Sequence, residues 1–214
     1  MPTIELQELV LLVPALALII FYHWFLYRRV RKSPMKTAIG VTNHARMMWV
    51  NEVRKNKRDV LAIQTLRNQV MAATFLASTA IIISLGSFNA AFRPGTFIEV
   101  SHTLNLFGTK TESLWMFKLM SLGILFFYSF FNFTLALRYY THSSFMINIY
   151  DQDDATTSAA SVTGILNHGA LHHTIGMRGF YLSIPLALWL FGPIWMLSGS
   201  VIMVAILYHL DGEA

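Results

Sequence analysis

Apolar and polar positions fall in long blocks along this chain. Four runs, 9–27, 69–88, 114–137 and 181–208, contain a single charged residue, Lys118. A helix of about 20 mostly apolar residues crosses a hydrocarbon core of about 30 Å, and each run is long enough. The blocks between them, 28–68 and 138–180, are polar and too small to close cores of their own. The pattern predicts an all-α polytopic membrane protein. It would be one membrane domain over 1–214, with four transmembrane helices and cytoplasmic loops 28–68 and 138–180 that carry interfacial helices.

Local signals refine this. Pro34 stops the helix of the first run. Thr42 is a good N-cap for an interfacial helix over 43–56, with Trp49 as its anchor. A further helix starts near Asp59 and enters the second run without a breaker. That run is rich in small residues (Ala72, Ala73, Ala77, Ser78, Ala80 and Ser84), which let helices approach closely and predict a buried, central helix. The third run carries Phe117, Phe126, Phe127, Phe130, Phe131 and Phe133, suited to lipid contact or interdigitated packing, and extends as a helix through 138–142. A turn is expected at 151–154, then a small-residue helix capped by Asp154 or Thr157 and reaching about Thr174. The fourth run is 28 residues long with Gly192-Pro193 in its middle, which predicts a kink that frees carbonyls near Leu188 and Trp189.

Composition agrees with the pattern. Hydrophobic residues make up 55% and charged residues 13%, about half the charged share of a soluble domain. Of the 16 Lys and Arg residues, 11 lie in 28–68. Basic loops stay cytoplasmic, so N- and C-termini are both expected outside a cytoplasmic (inner or plasma) membrane. The opening, with Glu5 and Glu8 but no Lys or Arg, reads as a retained first span. The net charge of +5 is explained by topology and calls for no nucleic-acid partner. The Arg28–Lys36 cluster would also attract anionic lipid headgroups. With no Cys in the chain, disulfides, thiolate metal sites and cysteine nucleophiles are excluded.

Candidate chemistry gathers at the cytoplasmic side. Gln64, Arg67 and Asn68 share one helix face where the second span enters the membrane. They form either an interfacial arginine with helix–helix hydrogen bonds or a polar ring lining a vestibule or anion site. With Arg138, His142 and Arg178 they make up the candidate ligand-binding or pore-lining set. Arg67, Arg138 and Arg178 could converge near one headgroup plane, facing an anion, a phospholipid headgroup or the acidic turn 151–154. His168 and His172, four apart on a helix, could share zinc, copper or iron. Two ligands do not complete a site, and a solvent-facing or interfacial cluster explains them as well. His23 and His209 are expected on opposite membrane faces, so no haem pair stands out. The 151–154 stretch lacks the glycine and terminal glutamate of a calcium loop. Nucleotide-binding and hydrolase motifs are absent, and no catalytic residue is assigned.

Several strings resemble the domain of unknown function 599 membrane proteins of bacteria and plants. They are Tyr22-His23, Thr37-x-x-Gly40, His44-x-Arg46-x-x-Trp49-Val50, and 61–68 continuing through 71–74. Further on come Gly176-x-Arg178-x-x-Tyr181, Pro185-x-x-x-Trp189-x-Phe191-Gly192-Pro193 and Leu207-Tyr208-x-Leu210-Asp211. The resemblance implies a multi-span helical protein and supplies no activity or cofactor. Three function classes follow from the residues. The first is an oligomeric channel- or transporter-like protein with a polar, cationic cytoplasmic mouth. The second is a structural or accessory subunit in a homo-oligomer or larger membrane complex, without transport. The third is a histidine-dependent metal-binding membrane enzyme.

Overall fold

A computed structural model describes residues 2–93, 111–149 and 155–212. Six α-helices form among them: α1 (Pro2–Lys32), α2 (Ala38–Lys55), α3 (Asp59–Ala91), α4 (Glu112–Met146), α5 (Ala159–Leu188) and α6 (Pro193–Gly212). The all-α expectation holds, but the span count does not. Among the described residues five helices are long and apolar enough to cross a membrane: Glu8–Lys32, Asp59–Ala91, Glu112–Met146, Ala159–Phe191 and Pro193–Gly212.

The extra span comes from 159–188, expected to be mostly cytoplasmic loop. Ser158 caps it by accepting from the Ser161 N–H at 3.2 Å, and the helix runs unbroken past Thr174 to Leu188. The turn expected just before it, 151–154, lies outside the described residues. At the far end α5 tightens into a single 3₁₀ turn, Trp189–Phe191, and Gly192 follows with φ 135°. That backbone conformation suits glycine. Pro193 then opens α6, where its missing N–H costs nothing. The result is a reversal in place of the expected kink. A Cβ built on Gly199 would lie 3.4 Å from the Pro185 Cα, whereas a continuous helix would separate these residues by about 21 Å.

Small residues decide how the helices meet. Ala73, Ala77, Ala80 and Ser84 form the buried face of α3 against α4, and Ser84 Oγ donates to the Gly123 carbonyl at 2.8 Å. Ala62, Leu66, Ser87 and Ala91 are buried as well, but the opposite face of α3 is exposed, so among the described residues α3 is an edge helix and the expected central position belongs to α4. The phenylalanine-rich α4 packs against α3 on one side and α5 on the other. Gly169 and Gly176 of α5 accept the rings of Tyr140 and Phe133; a Cβ at 176 would stand 2.7 Å from the Phe133 ring. Lipid tails are as apolar as these side chains, so close packing, more than hydrophobic burial, holds such helices together. Helices α6 and α1 complete the bundle beyond α5.

The N-cap of α2 is Thr37, five residues before the expected Thr42, and it accepts from the Gly40 N–H at 3.2 Å. The helix expected at the interface is docked on the bundle. Val50 and Val53 are buried in a cluster with Ala62, Leu66, Tyr140 and Leu166. Arg54 donates to the carbonyls of Thr157 and, at 2.8 Å, Ile149.

The hairpin also sets where the two ends of the described chain lie. Glu8 sits beside Trp189 and Lys118 at the hairpin-turn end. Asp211 sits beside Tyr22 and Arg178, and a Cβ on Gly212 would lie 3.9 Å from Arg29 Nη1. The start of α1 and the end of α6 therefore lie at opposite ends of the bundle. Gly212 shares the end that carries the basic connector, and His209 comes to the same end as His23.

Candidate functional site: a cationic pocket at the basic end

The six sequence-selected polar residues do not form one site within a single chain. Gln64, Arg67 and Asn68 are exposed on the outward face of α3. Arg138 and His142 are exposed on α4, where with Tyr139, Phe145 and Ile165 they line a groove of about 670 Å³. Arg178 lies at the α1/α5/α6 junction, where its Nη2 donates to both oxygens of Asp211 at 2.7 and 2.8 Å. The Tyr22 hydroxyl also donates to Asp211. Arg67, Arg138 and Arg178 thus sit on three separate surfaces.

His168 and His172 do lie on one face of α5. Tyr139 stacks on both rings, at 5.8 and 5.6 Å between centroids, and His172 Nδ1 lies 3.0 Å from Asn132 Oδ1. Among the described residues no group of three metal-ligating side chains gathers anywhere.

A different site emerges where α1, α2 and α5 meet. They enclose a pocket of about 570 Å³ whose polar lining includes His23, Arg31, Asn43, Arg46, Asn167 and His168. Arg46 is one of its two arginines. The capped start of α2 and the burial of Val50 and Val53 orient α2 so that Arg46 turns toward α5. Arg46 Nε donates to Asn167 Oδ1 at 2.9 Å, and Nη2 donates to Asn43 Oδ1. A guanidinium has only donors, so it fixes both amides with their oxygens toward it and leaves their NH₂ groups as free donors. No carboxylate lines the pocket among the described residues. Burial pulls the Arg46 pKa below its usual range, with nearby Tyr140 acting in the opposite direction. A half-buried cation held by neutral amides is under-compensated, and an anion would relieve it. Arg31 adds a second cation, its guanidinium 4.9 Å from the Tyr27 ring centroid.

Arg46 also lines a second cavity of about 360 Å³ on the other side of α2, with Trp49, Gln69 and Tyr140. At the inner end of the first pocket, His23 Nδ1 lies 2.8 Å from the Ile19 carbonyl, while its Nε2 is buried without a partner among the described residues. Arg178 Nη1 is likewise buried and has no partner among the described residues. At the opposite end a second ion pair closes the bundle. Lys118 Nζ lies 3.5 Å from Glu8, and Trp189 Nε1 donates to the other Glu8 oxygen at 3.1 Å.

From sequence alone, Arg46 and Asp211 are named only within the strings of the family resemblance, and His23 otherwise only in the search for a haem pair. The available signal was that Tyr22-His23, Arg46, Arg178 and Asp211 all fall in the strings that carried the family resemblance.

Five long apolar helices with ion pairs buried between them define a polytopic helical membrane protein. Residues 10–214 match the family model described as "Protein of unknown function, DUF599", and the chain belongs to that family. No curated protein and no solved structure matches the chain.

Proposed function

We propose that this is a channel- or transporter-like protein, working as a homo-oligomer in the cytoplasmic membrane, whose cationic mouth takes up an anionic solute. One observation carries the reading: Arg46, held by two neutral amides, faces a pocket with a second arginine and no carboxylate on its described walls. The basic connector orients this end toward the cytoplasm by the positive-inside tendency. Intramembrane ionisable residues are costly and are retained mainly where they serve a pathway or a partner. Here one ion pair stands below the pocket and another closes the far end of α1. The test is uptake of a panel of small anions into proteoliposomes. Wild type should accumulate at least one of them, and Arg46→Ala should slow that uptake about tenfold or more, the loss of one charge-assisted hydrogen bond. A wild-type protein that moves none of the panel contradicts the proposal.

A second reading, an accessory subunit without transport, draws on α3. Its outward face presents Gln64, Arg67 and Asn68 exposed, with no helix among the described residues covering them. Polar groups near the membrane favour a helix partner. Cross-linking from Asn68→Cys in native membranes should capture a neighbour; a monomer with no cross-linked partner excludes this reading.

A further inference from the structure

We propose that the pocket between α1, α2 and α5 binds a phosphate group carried on an apolar body: a phosphate-bearing amphiphile whose headgroup meets Arg46 and Arg31. This rests on the reading of that pocket as the anion-accepting mouth and names its ligand.

Three features select that chemistry. The first is the donor set. Arg46 and Arg31 come from different helices, and the NH₂ groups of Asn43 and Asn167 remain available because their oxygens accept from Arg46. Several donors from different directions suit a tetrahedral oxyanion with three or four oxygens better than a planar carboxylate. The second is depth. His23 and Arg31 are eight residues apart on α1, so the pocket spans about 12 Å along the helix. Arg28, Arg29, Arg31 and Lys32 mark the headgroup level of that helix. The pocket thus starts where phosphates of a leaflet lie and continues toward its acyl region. The third is the lining between those levels, where Leu26, Ala170 and Leu171 form the wall. A free inorganic anion would leave that wall wet, whereas an apolar body covers it. The pocket volume of about 570 Å³ accommodates a headgroup with the first carbons of a chain.

The test uses the purified full-length protein in micelles of an uncharged detergent, with three probes: dihexanoyl phosphatidic acid, inorganic phosphate and dihexanoylglycerol. The phosphatidic acid probe should raise the thermal midpoint saturably. Inorganic phosphate should bind about tenfold more weakly or worse, and the neutral diacylglycerol should have no saturable effect. Arg46→Gln should weaken phosphatidic acid binding about tenfold or more. Because that variant could fold poorly, Asn167→Asp serves as the second. A carboxylate beside Arg46 supplies the missing countercharge, so the apo protein should melt higher while phosphatidic acid binding falls at least tenfold. Equal binding of inorganic phosphate and phosphatidic acid would overturn the amphiphile and point to a soluble phosphate. Binding unchanged in both variants would overturn the site. Flux separates the two proposals. Protein that transports an anion but ignores the phosphatidic acid probe removes this inference alone, and protein that binds the probe but moves no anion removes the transport reading alone.

Discussion

The Arg178–Asp211 pair offers a quantitative test of the hairpin that rebuilds the C-terminal half of the molecule. The two side chains are 13% and 14% exposed and meet at 2.7 Å. Asp211→Asn keeps the shape of the side chain and removes its charge, leaving a largely buried guanidinium with a weaker partner. Removing one member of a buried ion pair costs roughly 3–5 kcal/mol in soluble proteins. Hydrogen bonds between bilayer helices reach at most about 1.7 kcal/mol. Between these bounds, Asp211→Asn should destabilise by about 2–3 kcal/mol. Arg178→Met should also cost stability, by stranding the carboxylate. The double variant, with neither charge, should be more stable than the sum of the two losses predicts by about 1 kcal/mol or more. The assay is reversible unfolding in mixed micelles of the four proteins of the cycle. The pair is separated by 33 positions, which in one continuous helix is about 50 Å. Groups that far apart do not couple, so a coupling energy within about 0.5 kcal/mol of zero would refute the hairpin.

Two further outcomes follow from the packing. Gly176→Leu would force a side chain into the Phe133 ring, 2.7 Å from the Cβ position; overpacking of this kind should cost about 1–3 kcal/mol in the same unfolding assay, whereas a neutral result would mean that α4 and α5 are not in contact there. Glu8→Gln removes the countercharge from Lys118, whose side chain is 2% exposed, and should destabilise by about 2 kcal/mol, less in a Lys118→Met background; equal losses in both backgrounds would mean that the two groups do not interact.

The first half of the chain was largely legible because its signals are one-sided. Pro34 ends a run, Asp59 opens an uninterrupted helix, and 114–142 continues as one helix because nothing in it breaks the pattern. The cap at Thr37 was missed because Thr42 also fits the local signature, and only Gly40 against the Pro34 carbonyl shows where the chain actually turns. The fifth span was hidden by chemistry. Asn167, His168, His172, His173 and Arg178 lower the apolar signal of α5, and it is the least hydropathic of the five candidates. Several of these polar groups are satisfied against neighbours, His172 by Asn132 and Arg178 by Asp211, which composition cannot reveal. Gly192-Pro193 is compatible with either a kink or a reversal. The excess length of 181–208, and an aspartate placed to meet Arg178, were the available clues to the reversal. The candidate site was legible only as a tendency toward cationic chemistry at one end. The residues chosen for their spacing, Gln64, Arg67 and Asn68, face outward. Arg46 becomes distinctive only when α1 and α5 close around it.

The account depends most on five passes, with the end of α6 beside the basic connector. The native chain has no cysteine, so single cysteines at Lys36, Gly212 and Glu112 can be labelled with an impermeant thiol reagent in right-side-out and inverted membrane vesicles. Lys36→Cys and Gly212→Cys should react only in inverted vesicles, and Glu112→Cys only in right-side-out ones. Labelling of Gly212→Cys together with Glu112→Cys, and apart from Lys36→Cys, would restore an even number of passes and contradict the fold on which the pocket and its proposed role rest.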